Sequence, residues 1–281
     1  MNNFPIIFED EDILVIDKPA GIVVNEASNV PGETIQSWMS KRLYHEAQSG
    51  DWYSLLPKDF TEEYGSPEEI FKERNGIVHR LDKDTSGALV LAKNPGSLMN
   101  LMAQFKQRET HKEYICLVHG LFHSPEDTIR LPLLRSTSNK GKFQVSVGGR
   151  PAETAFKVLK TFAFSQDRLL QLIRQHDVEK GKTDAQVMKE YQTYHDFSLI
   201  SCQPKTGRTH QIRVHFSYLQ HPLVSDQVYT NKWRVKADVL WCPRQFLHAS
   251  SITFKHPRTK EMLTLAAPLE NDLEAVLKTL E

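Results

Sequence analysis

Asp82 stands in the segment His79–Gly87, HRLDKDTSG, where basic residues, the hydroxyls of Thr85 and Ser86 and a glycine crowd one carboxylate. An ionised carboxylate so placed is a nucleophile or a base. The same residue type in a loop also serves as a turn or cap group. Asn75–Val78 reads as a turn and Ala88–Ala92 as an apolar strand, so Asp82 is expected on a short loop feeding a buried strand. Other chemistries find less support. A glycosidase needs two opposed carboxylates, and Asp84 reads as loop support. Neither G-x-G-x-x-G nor G-x-x-x-x-G-K-[ST] occurs. Cys116, Cys202 and Cys242 are widely spaced with no C-x-x-C pair, and Cys242 near His248 lacks two further zinc ligands. Free, buried thiols are expected, with no metal and no cofactor.

The Asp82 segment resembles the catalytic motif of the RNA pseudouridine synthases of the large family that modifies ribosomal and transfer RNA. Four further stretches carry the resemblance in the family's order: DILVIDKPAGIVV from Asp12, KEYICLVHG from Lys112, PKTGRTHQIRVHFSYLQHPLVSDQVY from Pro204 and FLHASSITFKHPRTKEMLTLAAPL from Phe246. They span nearly the whole chain. The resemblance implies an isomerase that cuts the N-glycosidic bond of a uridine, turns the base and rejoins it through carbon, with no redox step. It also implies an α+β fold whose active cleft crosses a bent, mixed and mainly antiparallel sheet with flanking helices.

Roles follow from the same matches. Asp82 is the expected nucleophile or base, with attack at C1′ and removal of the C2′ proton both open. An unpaired buried carboxylate would take up a proton, so a cation must hold it charged; Arg213, in QIRVH, is the expected partner through its fork geometry. Tyr114 matches the tyrosine that stacks on the target base, and Leu265 an aliphatic position closing the other side of the pocket. For both, core packing is the plain alternative. Targets in structured RNA must be flipped out, and Arg80 is placed to fill the vacated stack or hold phosphate. Lys18, Lys205, Arg208 and His210 are expected to contact phosphate or support loops. His221 and Asp226 are expected to brace the second active-site loop, in which Ser225 stands where relatives commonly have glycine. Loss of Asp82 or Arg213 would mark an inactive RNA-binding relative, and both are present.

The 281 residues carry 35 basic and 35 acidic side chains, a neutral balance that argues against broad nonspecific RNA affinity. The charge is segregated, however. Ser201–Ser225 holds Lys205, Arg208, His210, Arg213, His215 and His221 without one acid, whereas Asp51–Glu73 holds seven acids against Lys58 and Lys72. A basic site beside an acidic flank is therefore expected, with structured RNA (tRNA or rRNA) as partner. No apolar run approaches 18 residues, and the acidic start does not read as a secretory signal. A cytoplasmic monomer without membrane contact is the expectation. The catalytic pattern begins within the first ten or so residues, so RNA selection is expected from one catalytic domain, 1–281, with insertions near 44–75 and 163–193. A tRNA or small stem-loop is slightly favoured over ribosomal RNA.

The elements that must position these residues read as follows. Pro5–Val24 reads as two short strands around a Lys18–Gly21 break, the second resuming at Ile22–Val24. Helices are expected at Thr34–Leu43, at Pro67 toward Arg74 behind a Ser66 cap with Glu69 at the capping-box position, and at Gly96–Arg108. Strands are expected up to Lys93, at Glu113–Leu121, at Gly141–Val147 and at Ala152–Phe162. Arg168–Gln175 reads as a strand continuation and Asp184–Glu190 as a helix. Phe197–Cys202 reads as strand, Thr209–Leu219 as helix, Phe246–Phe254 with Met262–Ala266 as a hairpin, and Glu270–Leu280 as a terminal helix.

Overall fold

The computed structural model describes residues 3–27, 30–45, 51–139, 141–176 and 178–281. In chain order the elements are β1 (Ile6–Glu9), β2 (Ile13–Lys18), α1 (Ile35–His45), α2 (Pro67–Arg74), β3 (Ser86–Ala92), α3 (Pro95–Gln107), β4 (His111–His119), β5 (Glu126–Arg130), β6 (Leu133–Arg135), β7 (Phe143–Val145), β8 (Glu153–Ala163), α4 (Gln166–Gln175), α5 (Asp184–Glu190), β9 (Asp196–Pro204), α6 (Gln211–Tyr218), α7 (Lys232–Asp238), β10 (Leu247–Lys255), β11 (Met262–Ala266) and α8 (Asn271–Leu280). Strand pairs are antiparallel in β1–β2, β2–β3, β10–β11, β4–β9, β8–β9, β5–β8 and β6–β7. This is the expected α+β class.

The chain forms two compact units. The first comprises residues 1–112 and 249–268. Its strands β2 and β3 pair in register from Ile13↔Ala92 to Lys18↔Gly87. Ile13, Val15, Val90, Leu98, Ile252 and Phe254 form its core. The β3 strand is buried at every position, so its apolar run does not alternate. Helix α2 starts as its residues dictate: Ser66 accepts from the Glu69 amide, Glu69 reaches back to the Ser66 amide, and Pro67 opens the first turn. The acidic stretch around it packs on α3, where Asn100 donates to the Leu55 carbonyl. Residues 46–50 of the expected 44–75 insertion lie outside the described residues. Ile22–Val24 is not a strand; the Val23 and Val24 carbonyls instead accept from Ile35 and Gln36 at the start of α1.

The second unit comprises residues 113–248 and 269–281. Strand β9 lies between β4 and β8, with β5 beyond β8. The Arg168–Gln175 stretch is helix α4, not a strand. Ser165 caps it by accepting from Arg168, and Leu169 and Ile173, one turn apart, are its buried residues. The four-residue spacing of these two side chains outweighs the β-compatible composition of LLQLI. They join Tyr191, Tyr194, Phe197 and Phe246 in one core, while Cys116, Ile200, Cys202 and Phe216 belong to another. All three cysteines are buried and free.

Candidate active site

In the first unit Asp82 opens a tight turn, its carbonyl accepting from the Thr85 amide at 3.1 Å. Two further hydrogen bonds, both on the Lys83 carbonyl, hold this turn. The Gly21 amide donates to the Lys83 carbonyl. The buried Lys18 ammonium donates to the carbonyls of Pro19 (2.7 Å), Ile22 (2.9 Å) and Lys83 (3.1 Å). Leu81, Thr85 and Ser86 are buried, which leaves Asp82 half-buried and Arg80 exposed. Of the two roles open to Lys18, this geometry is that of loop support. Gly87 has φ +112°, and a Cβ there would fall 2.2 Å from the Ala249 carbonyl oxygen. Only glycine permits the turn to enter β3 so close to a neighbouring backbone. Leu265 pairs with Ile252 across β10 and β11 and packs half-buried against the core of this unit.

His79, the first residue of the motif, fixes the other end of the loop. Its Nε2 accepts from the Val90 amide at 3.1 Å, so the ring is neutral with its proton on Nδ1. It stacks on Phe105 at 4.7 Å. Burial, with a smaller contribution from the Lys112 charge, pushes its pKa down from 6.5 to about 3. The unfolded chain therefore binds a proton near pH 6.5 that the folded protein refuses until about pH 3. Stability from this group is complete above that upper value and falls as the pH drops through the window, by up to about 1.4 kcal/mol per pH unit. Urea unfolding at pH 7, 6, 5 and 4 measures it; His79→Gln is expected to give a shallower decline than the parent.

In the second unit Arg213 lies on α6 and is buried. Its Nε donates to Asp226 Oδ2 at 2.8 Å and its Nη2 to Oδ1 at 2.9 Å, a fork-on-carboxylate grip. The guanidinium carbon lies 5.2 Å from the centre of the Tyr229 ring. Asp226 Oδ1 also accepts the Val228 and Tyr229 amides, so one carboxylate shapes its own turn and orients the arginine. The Tyr229 hydroxyl bonds His210 Nδ1 at 2.8 Å and accepts the Phe143 amide. His210 stands just before α6 at φ +55°. Helix α6 is anchored further by Gln211, which donates to the Glu153 carbonyl and to Thr154, and by His215, whose ring nitrogens face Thr154 Oγ1 and the Leu131 carbonyl. Burial lowers the His215 pKa against the opposing effect of that carbonyl.

Arg208 donates from Nε to the Pro151 carbonyl, and Lys205 is exposed. Tyr114 lies half-buried on β4, opposite Cys202, packed against the Cys116 core. His221 Nδ1 bonds the His119 carbonyl, bracing the loop that Asp226 ends. Tyr229 escaped the sequence reading; its signal was the short spacing after Asp226, which lets one turn bring ring and carboxylate to the same guanidinium. Among the described residues, Asp10, Asp12 and His256 could gather round a cation, but Arg258 already grips Asp12 with two bonds and His256 bonds Asp10. No helix of the described residues is long and apolar enough to cross a membrane.

Comparison with known proteins agrees with this architecture. The family model described as RNA pseudouridylate synthase matches residues 12–218. Ribosomal large subunit pseudouridine synthase C of Salmonella typhimurium is 31% identical over 280 residues, covering 98% of this chain and 69% of that protein. An RNA pseudouridine synthase of Bacillus subtilis, YlyB, is 31% identical over 275 residues, covering 98% of this chain and 72% of its own. The solved structure of human RNA pseudouridylate synthase domain containing 1 superposes with a TM-score of 0.60 at 22% identity, over 98% of this chain and 87% of that one, a likeness of fold. With the family model matching most of its length and these relatives matching nearly all of it, the chain belongs to the RNA pseudouridylate synthase family and is an RNA pseudouridine synthase.

Proposed function

We propose that Asp82 is the reactive carboxylate of this synthase, Arg213 the cation that favours its ionised form, and Tyr114 the ring that faces the uracil. In the reaction the N1–C1′ bond breaks, the base turns and a C5–C1′ bond forms, C5 giving up a proton as N1 gains one. Asp82 serves it by adding to C1′ or by taking the C2′ proton. The observation that carries the reading is the construction of the Asp82 turn: a buried ammonium, a glycine with no room for a side chain and a neutral histidine all fix one half-buried aspartate. A plain turn aspartate needs none of this. Leu265 is assigned to the uracil pocket, and Arg80, Lys205, Arg208 and His210 to the RNA strand, with Lys18 acting on substrate through the loop it holds. The two units serve as one catalytic domain, with insertions near 44–75 and 163–193, in a cytoplasmic monomer.

The RNA we propose is that of the large ribosomal subunit, for which the Salmonella relative is named. Incubating the protein with ribosomal RNA and, separately, tRNA from a strain lacking it, then mapping new pseudouridines, tests this. New sites are expected in large-subunit RNA. Modification confined to the tRNA pool would overturn the assignment and support the small stem-loop substrate expected from the sequence.

A further inference from the structure

Asp238 is fully buried at the end of α7, and its carboxylate takes three donors from three distant parts of the second unit. The Tyr194 hydroxyl donates to Oδ1 at 2.6 Å, His119 Nε2 lies 3.1 Å from Oδ2, and the Ser225 amide donates to Oδ2 at 2.9 Å. Trp241 Nε1 donates to the Tyr194 hydroxyl at 2.7 Å, so the tyrosine is oriented in turn. Burial and the neighbouring Asp238 charge raise the Tyr194 pKa well above its ordinary value, which keeps its proton on the hydroxyl as a donor.

The third donor gives this network its consequence. Ser225 has φ +58°, in the left-handed region that side-chain-bearing residues avoid. Two bonds hold it there: its amide to Asp238, and its hydroxyl to the Cys242 carbonyl at 2.5 Å. The next residue is Asp226, whose two oxygens fix Arg213. The segment before it is tied down at Val224, whose amide donates to Leu117 and whose carbonyl accepts from Phe246. The Asp226 carboxylate is thus placed from two sides, by the backbone turn at Ser225 before it and by the Val228 and Tyr229 amides on its Oδ1 after it.

We infer that Asp238 is a positioning residue: held by Tyr194 and His119, it keeps Ser225 in the left-handed turn from which Asp226 presents both carboxylate oxygens to Arg213. The inference rests on the proposed role of Arg213 in the reaction. A loss of this hold lets Arg213 drift without touching Lys205 or Arg208, so its cost is expected to fall more on turnover than on capture.

The test is Asp238→Asn, assayed on whichever RNA pool the parental enzyme modifies. The kcat is expected to fall by about tenfold or more, with KM within about twofold of the parent. Adding Ser225→Gly, which removes the conformational cost of the turn, is expected to restore most of the lost kcat. A folded Asp238→Asn protein with parental kcat, or a loss that Ser225→Gly does not relieve, overturns the inference. Should Asp238→Asn fail to fold, Tyr194→Phe carries the same test, since it removes one donor and leaves the carboxylate. A smaller loss confined to kcat, and the same rescue, are then expected; no loss, or no rescue, overturns the inference. Arg213→Ala separates the two levels. Parental turnover in that variant defeats the reading of the site, whereas an inactive Arg213→Ala beside an unimpaired Asp238→Asn defeats this inference alone.

Discussion

Asp82→Asn is expected to fold like the parent and to lose turnover by at least about a thousand-fold, which is about 4 kcal/mol of transition-state stabilisation. The substitution is nearly isosteric. Contacts that hold the turn through backbone atoms, the Thr85 amide on the Asp82 carbonyl and Lys18 on the Lys83 carbonyl, are left in place by an amide side chain. What disappears is the negative charge, and with it the ability either to add to C1′ or to accept a proton from C2′. Single-turnover pseudouridine formation reports the loss, and thermal unfolding reports the retained fold. Activity within tenfold of the parent would remove Asp82 from the chemistry and return it to the ranks of ordinary turn residues.

Arg213→Ala is expected to fail twice. It strands the fully buried Asp226 carboxylate without its counter-charge, a loss on the scale of about 3–5 kcal/mol of stability for a broken buried pair. It also removes the cation assigned to Asp82. The two effects separate on adding Asp226→Asn. The double variant no longer buries an unpaired charge, so its unfolding temperature is expected to recover toward the parent while turnover stays lost. Arg213→Lys keeps the charge but not the fork, and the two parallel bonds to Asp226 cannot both survive it. Turnover is expected to fall by about a hundred-fold with only modest destabilisation. If the alanine variant regained activity together with stability, Arg213 would be a structural anchor of α6 and no more.

Local chemistry was readable in the sequence; long-range carpentry was not. Ser66, Pro67 and Glu69 announce the start of α2 because capping involves neighbours three residues apart, and the apolar run of β3 announces a strand with both faces covered. Gly87 could be read as a place of close passage, although nothing local says that the approaching group is the Ala249 carbonyl, far away in the chain. Helix α4 was misread because LLQLI suits a strand as well as a helix until its partners are known, and Tyr191 and Phe197 decide the matter from outside the segment. The guanidinium–carboxylate pair lies within one motif, only 13 residues apart, so its two members were both singled out. The Asp238 network was invisible. Its members stand 44 and 119 residues apart, and each alone looks like an ordinary core tyrosine, histidine or aspartate.

Lys18 has no exposed surface, and its charge is met by peptide oxygens instead of by dissolved ions. Added salt therefore screens the exposed cations Arg80 and Lys205 while the buried Lys18 contacts that hold the Asp82 turn stay out of its reach. On the roles proposed for these residues, ionic strength is expected to act as a dial for how often substrate is caught, leaving the intrinsic speed of the isomerisation, once a uridine is seated, insulated from it.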